Sequence, residues 1–289
     1  MDDSIAGLRA FVAFAESGGF TAAGERLGLS RSAVSKAVTR LEERLGRRLV
    51  DRSSRSLQLT EEGGLLLQHG RRVLDELDLA AQALHATDDE VSGLVRIDLP
   101  PLYGRQVVMP ILRDVSDRYP RLRFDLGFSP VASELVAEGV HLAVRIGVLP
   151  DRAELIARSL GRQPTRLYAA PVYLQANPPV RDPADLSLQR CLLADVHDDW
   201  EWLPGAPRLR GPFVLRDTCA LLEGCIAGLG VACLPDWLAR PYVARGELIP
   251  VLPEHPGPVL PIHVIWPRGR YLPARVRVVI DALVEMLAD

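Results

Sequence analysis

The sequence is poor in cysteine: Cys191, Cys219, Cys225 and Cys233 are the only four in 289 residues. None sits in a C-x-x-C pair and no histidine lies at zinc-ligand spacing from them, which argues against a thiolate metal site or a dithiol redox motif. Cys219 and Cys225 are six residues apart, about 9 Å of rise on one helix, so a disulfide between them would require that helix to melt. All four read as small apolar residues of a reducing compartment. Long hydrophobic runs are also missing. No stretch reaches the roughly 18 uncharged residues of a membrane helix. The N-terminus, MDDSIAGLRAF, opens on two acids and not on the basic patch of a secretion signal. The expected location is the cytoplasm. Lysine is almost absent, Lys36 being the only one. Catalytic signatures are lacking as well. There is no G-x-S-x-G elbow and no P-loop, and the GLG at 228–230 is too short for a dinucleotide fingerprint and precedes a strand instead of following one. His69, His85, His141, His197, His255 and His263 are scattered. The densest ligand-like group, His197-Asp198-Asp199, reads as a solvated acidic loop. No catalytic residue, cofactor or metal is expected.

What is present is a normal globular balance, 48% hydrophobic and 25% charged, in a chain long enough for two or three compact units. The formal charge of −3 conceals an asymmetry. Between Arg26 and Thr60 nine basic residues face three acids, a local +6 that leaves −9 for the rest. A confined basic cluster on an acidic protein is the footprint of a nucleic-acid surface.

The same segment carries a pattern. Leu8, Phe11, Val12 and Ala15 mark an amphipathic helix ended by Gly18-Gly19. Thr21 is expected to cap a second helix, Ala22 to Leu27, broken by Gly28. Ser30 is expected to cap a third from Arg31 to Leu45, with Val34, Val38, Leu41 and Leu45 facing inward. Helix, glycine turn, helix places the second of the pair in a DNA major groove. Its outward side offers Arg31, Ser32, Ser35, Lys36, Thr39 and Arg40, residue types that suit guanine edges and phosphates. Val50 and Leu57 to Leu59 predict two short strands joined by a wing, where Arg52 and Arg55 would hold phosphates or enter a minor groove. The cap positions Thr21, Ser30 and Thr60 complete the DNA-facing set.

From Glu61 to about Ala86 there is no proline, and Leu66, Gly70, Val73, Leu77, Ala80 and Leu84 follow the spacing of a coiled-coil seam. A helix of that length spans about 39 Å. It predicts pairing with a second chain, although packing on its own domain would produce the same stripe. Residues 87–93 read as a polar hinge. Beyond them strands alternate with helices: strands at Leu94–Leu99, Leu122–Phe128, Leu142–Ile146, Arg166–Ala170, Gly228–Pro235 (entered through its glycines) and Ile262–Trp266, and helices up to Tyr119, at Val131–Glu138, after Pro171, at Thr218–Ala227 and at Leu272–Leu287. This predicts an α/β unit with a mainly parallel sheet.

The gapless run from Leu8 to Gly63, with FTAAGERLGLS, SAVSKAVTRLEERLG and LTEEG in order, resembles the N-terminal domain of the LysR-type transcriptional regulators. LVAEGVHLAVRIGVLP, AGLGVACLPDWLA and the final helix resemble that family's effector domain, which is similar to periplasmic binding proteins. The resemblance implies a winged helix-turn-helix domain at 1–60, a dimerisation helix and hinge at 61–92, and a two-lobed α/β effector domain at 93–289. Its first lobe would take about 93–164 and 267–289, its second about 165–266, with crossings near Arg162–Arg166 and Trp266. It also implies that residues matching Arg31, Ser32, Ser35 and Lys36 face DNA. Because ligands of open α/β sheets sit beyond the carboxyl ends of strands, the effector site is expected at Pro101, Leu102, Tyr103, Gly104, Ser129, Arg145, Gly147, Asp217 and Thr218. Leu102 stands where many relatives carry serine or threonine, and predicts a more apolar cleft. Arg145 reads equally as a ligand contact and as an inter-lobe salt bridge. The expected partners are double-stranded DNA with a roughly palindromic operator, a small organic effector such as a carboxylate, a second copy of the chain with dimers pairing into a tetramer, and RNA polymerase. A ligand-independent architectural DNA binder and an enzyme in the α/β half are the competing readings.

Overall fold

The computed structural model describes residues 2–51, 57–84, 91–129, 135, 139–150, 152–195, 200–207, 209, 211–268 and 272–288. The wing tip with Arg52 and Arg55, residues 87–90 of the expected hinge, Pro130, most of the helix expected at Val131–Glu138 and the His197-Asp198-Asp199 trio lie outside them, and Gly93, expected in the hinge, already begins a strand.

The N-terminal head is three helices and a two-stranded wing: α1 (Asp2–Ser17), α2 (Phe20–Leu27), α3 (Arg31–Leu45), β1 (Val50–Asp51) and β2 (Gln58–Leu59). Phe11, Phe14, Phe20, Val34, Val38 and Leu49 are fully or almost fully buried and form its core. Gly28 and Gly46 close α2 and α3 in the left-handed conformation that a side chain disfavours. Two expectations shift. α2 starts at Phe20 with Gly19 as its cap and no side-chain cap bond, so Thr21 lies inside its first turn. Leu45 is 47% exposed, so the inward stripe of α3 ends at Leu41.

α4 (Glu61–Leu84) leaves the wing directly. Its stripe divides. Leu66, Leu67 and Leu74 pack on the head core, and a Cβ on Gly70 would sit 2.8 Å from Leu8 Cδ1, so that part of the seam faces its own domain. Leu65 and Val73, 59% and 47% exposed, face away from it.

The C-terminal unit is a sheet in the order β4-β3-β5-β10-β6-β8-β7, with β9 also on β6. The strands are β3 (Gly93–Leu99), β4 (Leu122–Phe128), β5 (Leu142–Ile146), β6 (Leu155–Ala169), β7 (Cys191–Leu192), β8 (Val231–Pro235), β9 (Ile249–Val251) and β10 (Val259–Pro267). β3 pairs in parallel with β4 and β5, and β7 with β8. β10 runs antiparallel to β5 and β6, and β6 antiparallel to β8 and β9, so the sheet is mixed, not mainly parallel. The alternation of strands with helices could not reveal this, because the antiparallel direction enters through two long crossing strands. β6 is one of them: Leu155 to Pro164 pairs with β10 and Thr165 to Ala169 with β8 and β9, so one strand serves both lobes. The return crossing lies at Pro258, whose carbonyl accepts from the Thr165 amide and hydroxyl. Trp266, expected at that crossing, packs instead on the core of the first lobe.

α5 (Pro101–Tyr103) passes through a π-helical turn at Gly104–Val108 into α6 (Met109–Arg118). α7 (Pro171–Ala176), α8 (Thr218–Ile226), α9 (Asp236–Ala244) and α10 (Ala274–Leu287) follow. Ile111, Leu112 and Val115 of α6 and Val276, Val279, Ile280 and Leu283 of α10 cover the first-lobe strands at helical spacing. Tyr168, Leu222, Cys225 and Leu234 anchor one face of the second lobe, and Tyr173, Leu186 and Trp200 the other.

Candidate nucleic-acid interface and effector cleft

Ser30 presents its hydroxyl to the Ala33 amide at 3.2 Å, which starts α3 where the sequence places it. From there the helix offers Arg31, Ser32, Lys36 and Arg40 exposed, with Ser35 and Thr39 half-buried between them. The opposite side is locked into the head by Val34, Val38 and Leu41. Glu42 holds the wing to the same helix: its Oε1 accepts the amides of Leu49 and Val50 at 2.8 and 3.1 Å. Thr39 donates its hydroxyl to the Ser35 carbonyl at 3.0 Å. Thr60 donates to the Arg48 carbonyl at 2.7 Å and accepts from the Gly63 amide at 3.0 Å, so its hydroxyl joins the wing to the start of α4. Thr21 is exposed on the first turn of α2.

A cavity of about 320 Å³ lies between the lobes. Of the residues expected there, Pro101, Leu102, Tyr103, Ser129, Arg145, Asp217 and Thr218 line it. Gly104 is instead the first residue of the π turn, and Gly147, whose amide donates to the Pro261 carbonyl, follows β5; neither lines the cavity. Arg145 is held within the first lobe. Its Nη2 lies 2.5 Å from Asp98 Oδ2 and its Nη1 donates to the Val144 carbonyl at 2.8 Å, so its salt bridge joins the neighbouring strands β3 and β5 and not the two lobes. Asp217 caps α8 by accepting from the Ala220 amide at 2.9 Å.

Among the lining residues that escaped the sequence reading are Gln163, Arg216, Pro235, Trp237 and Leu260. Trp237 donates its indole N–H to Gln163 Oε1 at 2.8 Å and meets the Tyr103 ring edge-on at 5.6 Å, a bridge from α9 to the crossing strand and the first lobe. WLA in AGLGVACLPDWLA was the available signal for Trp237, but the helix it begins was not anticipated. Arg216 is exposed at the rim, with no carboxylate partner among the described residues. The cleft is thus an apolar and aromatic slot whose buried cation is neutralised and whose rim cation is not. Among the described residues no group of three or more His, Cys, Asp or Glu could hold a metal, and no helix is long and apolar enough to cross a membrane.

Comparison with known proteins agrees with both halves. Residues 5–64 match the family described as bacterial regulatory helix-turn-helix protein, lysR family, and residues 88–288 match the LysR substrate binding domain. The transcriptional regulator PtxR of Pseudomonas aeruginosa is 35% identical over 289 residues, covering 97% of this chain and 92% of its own. The solved structure of CrgA, a LysR-type regulator from Neisseria meningitidis, superposes with a TM-score of 0.62 at 30% identity over 98% of both chains. Full-length LysG of Corynebacterium glutamicum, solved with bound effector Arg, shares the fold at a TM-score of 0.57 and 24% identity, over 98% of this chain and 99% of its own.

Proposed function

Because the chain belongs to the LysR-type transcriptional regulators, we propose that it reads a roughly palindromic operator as a dimer and adjusts that grip to an amphipathic organic effector. Members of that family are DNA-binding transcriptional regulators with an effector-binding regulatory domain, and not enzymes. The observation that carries the DNA reading is α3, with Arg31, Ser32, Lys36 and Arg40 exposed on one side of a helix whose other side is locked in the head. A second copy placed by α4 would set two such helices against two half-sites, and the exposed Leu65 and Val73 supply an apolar surface for that pairing. Tetramer assembly, contact with RNA polymerase and residence in the cytoplasm belong to the same reading.

The cleft favours an effector with an apolar or aromatic body, laid against Leu102, Tyr103, Trp237 and Leu260. Its carboxylate would pair with Arg216, because Arg145 is committed to Asp98. The test is binding of the purified protein to its own promoter region. Replacing Ser35 and Lys36 together with alanine removes two contacts worth about 1–3 kcal/mol each. Specific binding is expected to fall to the level of random duplex while the oligomeric state is unchanged. Loss of the oligomer with DNA binding intact would overturn the assignment of α3.

A further inference from the structure

The polar groups of the interlobe cleft differ in what they leave to a ligand. Gln163 stands on β6, opposite Leu260 of β10 and two residues before Thr165, where the strand passes to the second lobe. It lines the cavity and is 6% exposed. A carboxamide has two unlike ends, an oxygen that only accepts and a nitrogen that only donates. The Trp237 indole N–H can only donate, so at 2.8 Å it must face the oxygen, and this contact fixes which way round the amide sits. Trp237 is itself held in place. Asp236, the residue before it, accepts from Arg166 Nε at 2.9 Å and from the Tyr168 hydroxyl at 3.0 Å. Gln163 Nε2 then has no hydrogen-bond partner among the described residues. Buried amide donors are ordinarily paired. The other lining groups impose less. Arg145 is engaged by Asp98 and Asp217 by the Ala220 amide. The hydroxyls of Tyr103, Ser129 and Thr218 donate or accept alike.

We propose that Gln163 is the specificity-determining residue of this cleft, an inference that rests on reading the cleft as the effector site. Its amide nitrogen donates to a neutral oxygen of the effector. The effector is then an apolar or aromatic carboxylate that carries a carbonyl, ether or hydroxyl oxygen apart from its carboxylate. The carboxylate belongs at the exposed Arg216, because a buried neutral amide cannot compensate a buried charge. A ligand with an apolar group at Gln163 would desolvate the amide without pairing it, which is the situation in which a site rejects a close analogue.

The test is calorimetric titration of the full-length protein at pH 8 with matched carboxylates. Benzoate, phenylacetate and 2-naphthoate bodies are each used with an acetyl group and with an isopropyl group of similar size. At least one acetyl compound is expected to bind saturably and about tenfold more tightly than its isopropyl partner, the weight of one hydrogen bond. Q163M removes the donor, and Q163E keeps an oxygen for Trp237 while removing the donor. Both are expected to bring the acetyl-to-isopropyl ratio close to one. A purely structural role for Gln163 would change both affinities and leave their ratio alone. R216Q is expected to weaken both members of a pair and to preserve the ratio. The proposal is overturned if the wild-type ratio is near one or favours isopropyl, or if the ratio survives in Q163M and Q163E. Should R216Q still weaken both members in those cases, the cleft stands as the effector site and only the role of Gln163 falls. If no compound binds, or if R216Q changes neither affinity, the reading of the cleft falls and this inference with it.

Discussion

Thr60 and Asp217 show how a side chain's duty follows from what its polar atoms already hold. The Thr60 hydroxyl both donates and accepts within the wing–α4 junction, and the Asp217 carboxylate is engaged by the first turn of α8, so both organise a site more than they touch a ligand. Lys36 and Arg40 are exposed, and their proposed role is contact with an external partner. Cys225 shows the opposite case. Burial pushes its thiol up to about 12 against a smaller opposing effect of the Ala232 backbone, and its Sγ donates to the Tyr168 carbonyl at 3.2 Å. A thiol in that state has almost no thiolate near neutrality. Iodoacetamide at pH 8 should therefore leave Cys225 unmodified in native protein and alkylate it after unfolding, read by peptide mass spectrometry. Rapid native labelling would show that α8 opens readily. The sequence already assigned this cysteine to the core, because a small apolar residue in an apolar run needs no further information. It could not assign Arg145, whose partner Asp98 stands on a different strand.

At the scale of elements, α4 is the critical piece, and its glycines are not equivalent. A Cβ at Gly63 would lie 2.1 Å from the Leu49 carbonyl oxygen, a backbone atom of the wing root that cannot step aside. A Cβ at Gly64 would meet nothing within 4 Å. G63A is therefore expected to destabilise the head by more than the roughly 1–3 kcal/mol of ordinary overpacking, whereas G64A should gain up to about 1 kcal/mol of helix propensity. Thermal denaturation of the two variants side by side reads the difference, and equal effects would mean that the wing and α4 do not meet as described. The outward side of α4 carries the dimer reading. L65D/V73D should convert the proposed dimer to a folded monomer in sedimentation, with operator affinity reduced because two half-sites would no longer be held together. A dimer that survives both charges would place the interface elsewhere. The heptad-like spacing detected this helix and its amphipathic character. It could not divide the helix into a part that packs on the head and a part left exposed, because packing on the head and pairing with a second chain share one period.

For the whole molecule, the decisive contact is the one between head and effector domain. Glu16 lies in the head, Arg71 on α4 and Arg96 on β3, so one carboxylate ties three parts of the chain. Burial alone would push the Glu16 carboxyl up, but the hydrogen bond from Arg26 and the charges of Arg96, Arg26 and Arg71 outweigh it and hold the carboxyl below its ordinary value of 4.5. A carboxyl lowered in the folded state contributes stability that is complete above the unfolded value and disappears as pH falls through the folded one. Wild type is thus expected to exceed E16Q by about 3 kcal/mol at neutral pH, the low end for a broken buried pair because Arg26 is partly solvated. The advantage should fade only below about pH 4.5, in urea melts across pH. A gap that persists unchanged to the lowest pH would mean that the charge of Glu16 is not what matters. Arg96 and Asp98 stand two residues apart on the same side of β3, so the strand that grips the head through Glu16 also grips Arg145 at the effector cleft. The sequence by itself determined the helix-turn-helix, the Ser30 cap and the exposed basic side of its second helix, the α/β alternation and part of the cleft lining, because each is written in local spacing: helical or strand period, a capping hydroxyl, a glycine at a turn. Only the tertiary structure decided the mixed sheet, the crossing at Pro258, the pairing of Arg145 with Asp98 and the place of Trp237. Those depend on residues far apart in the chain meeting in space, as Arg275 and Leu94 do across a separation of 181, and no periodicity along the chain records such a meeting.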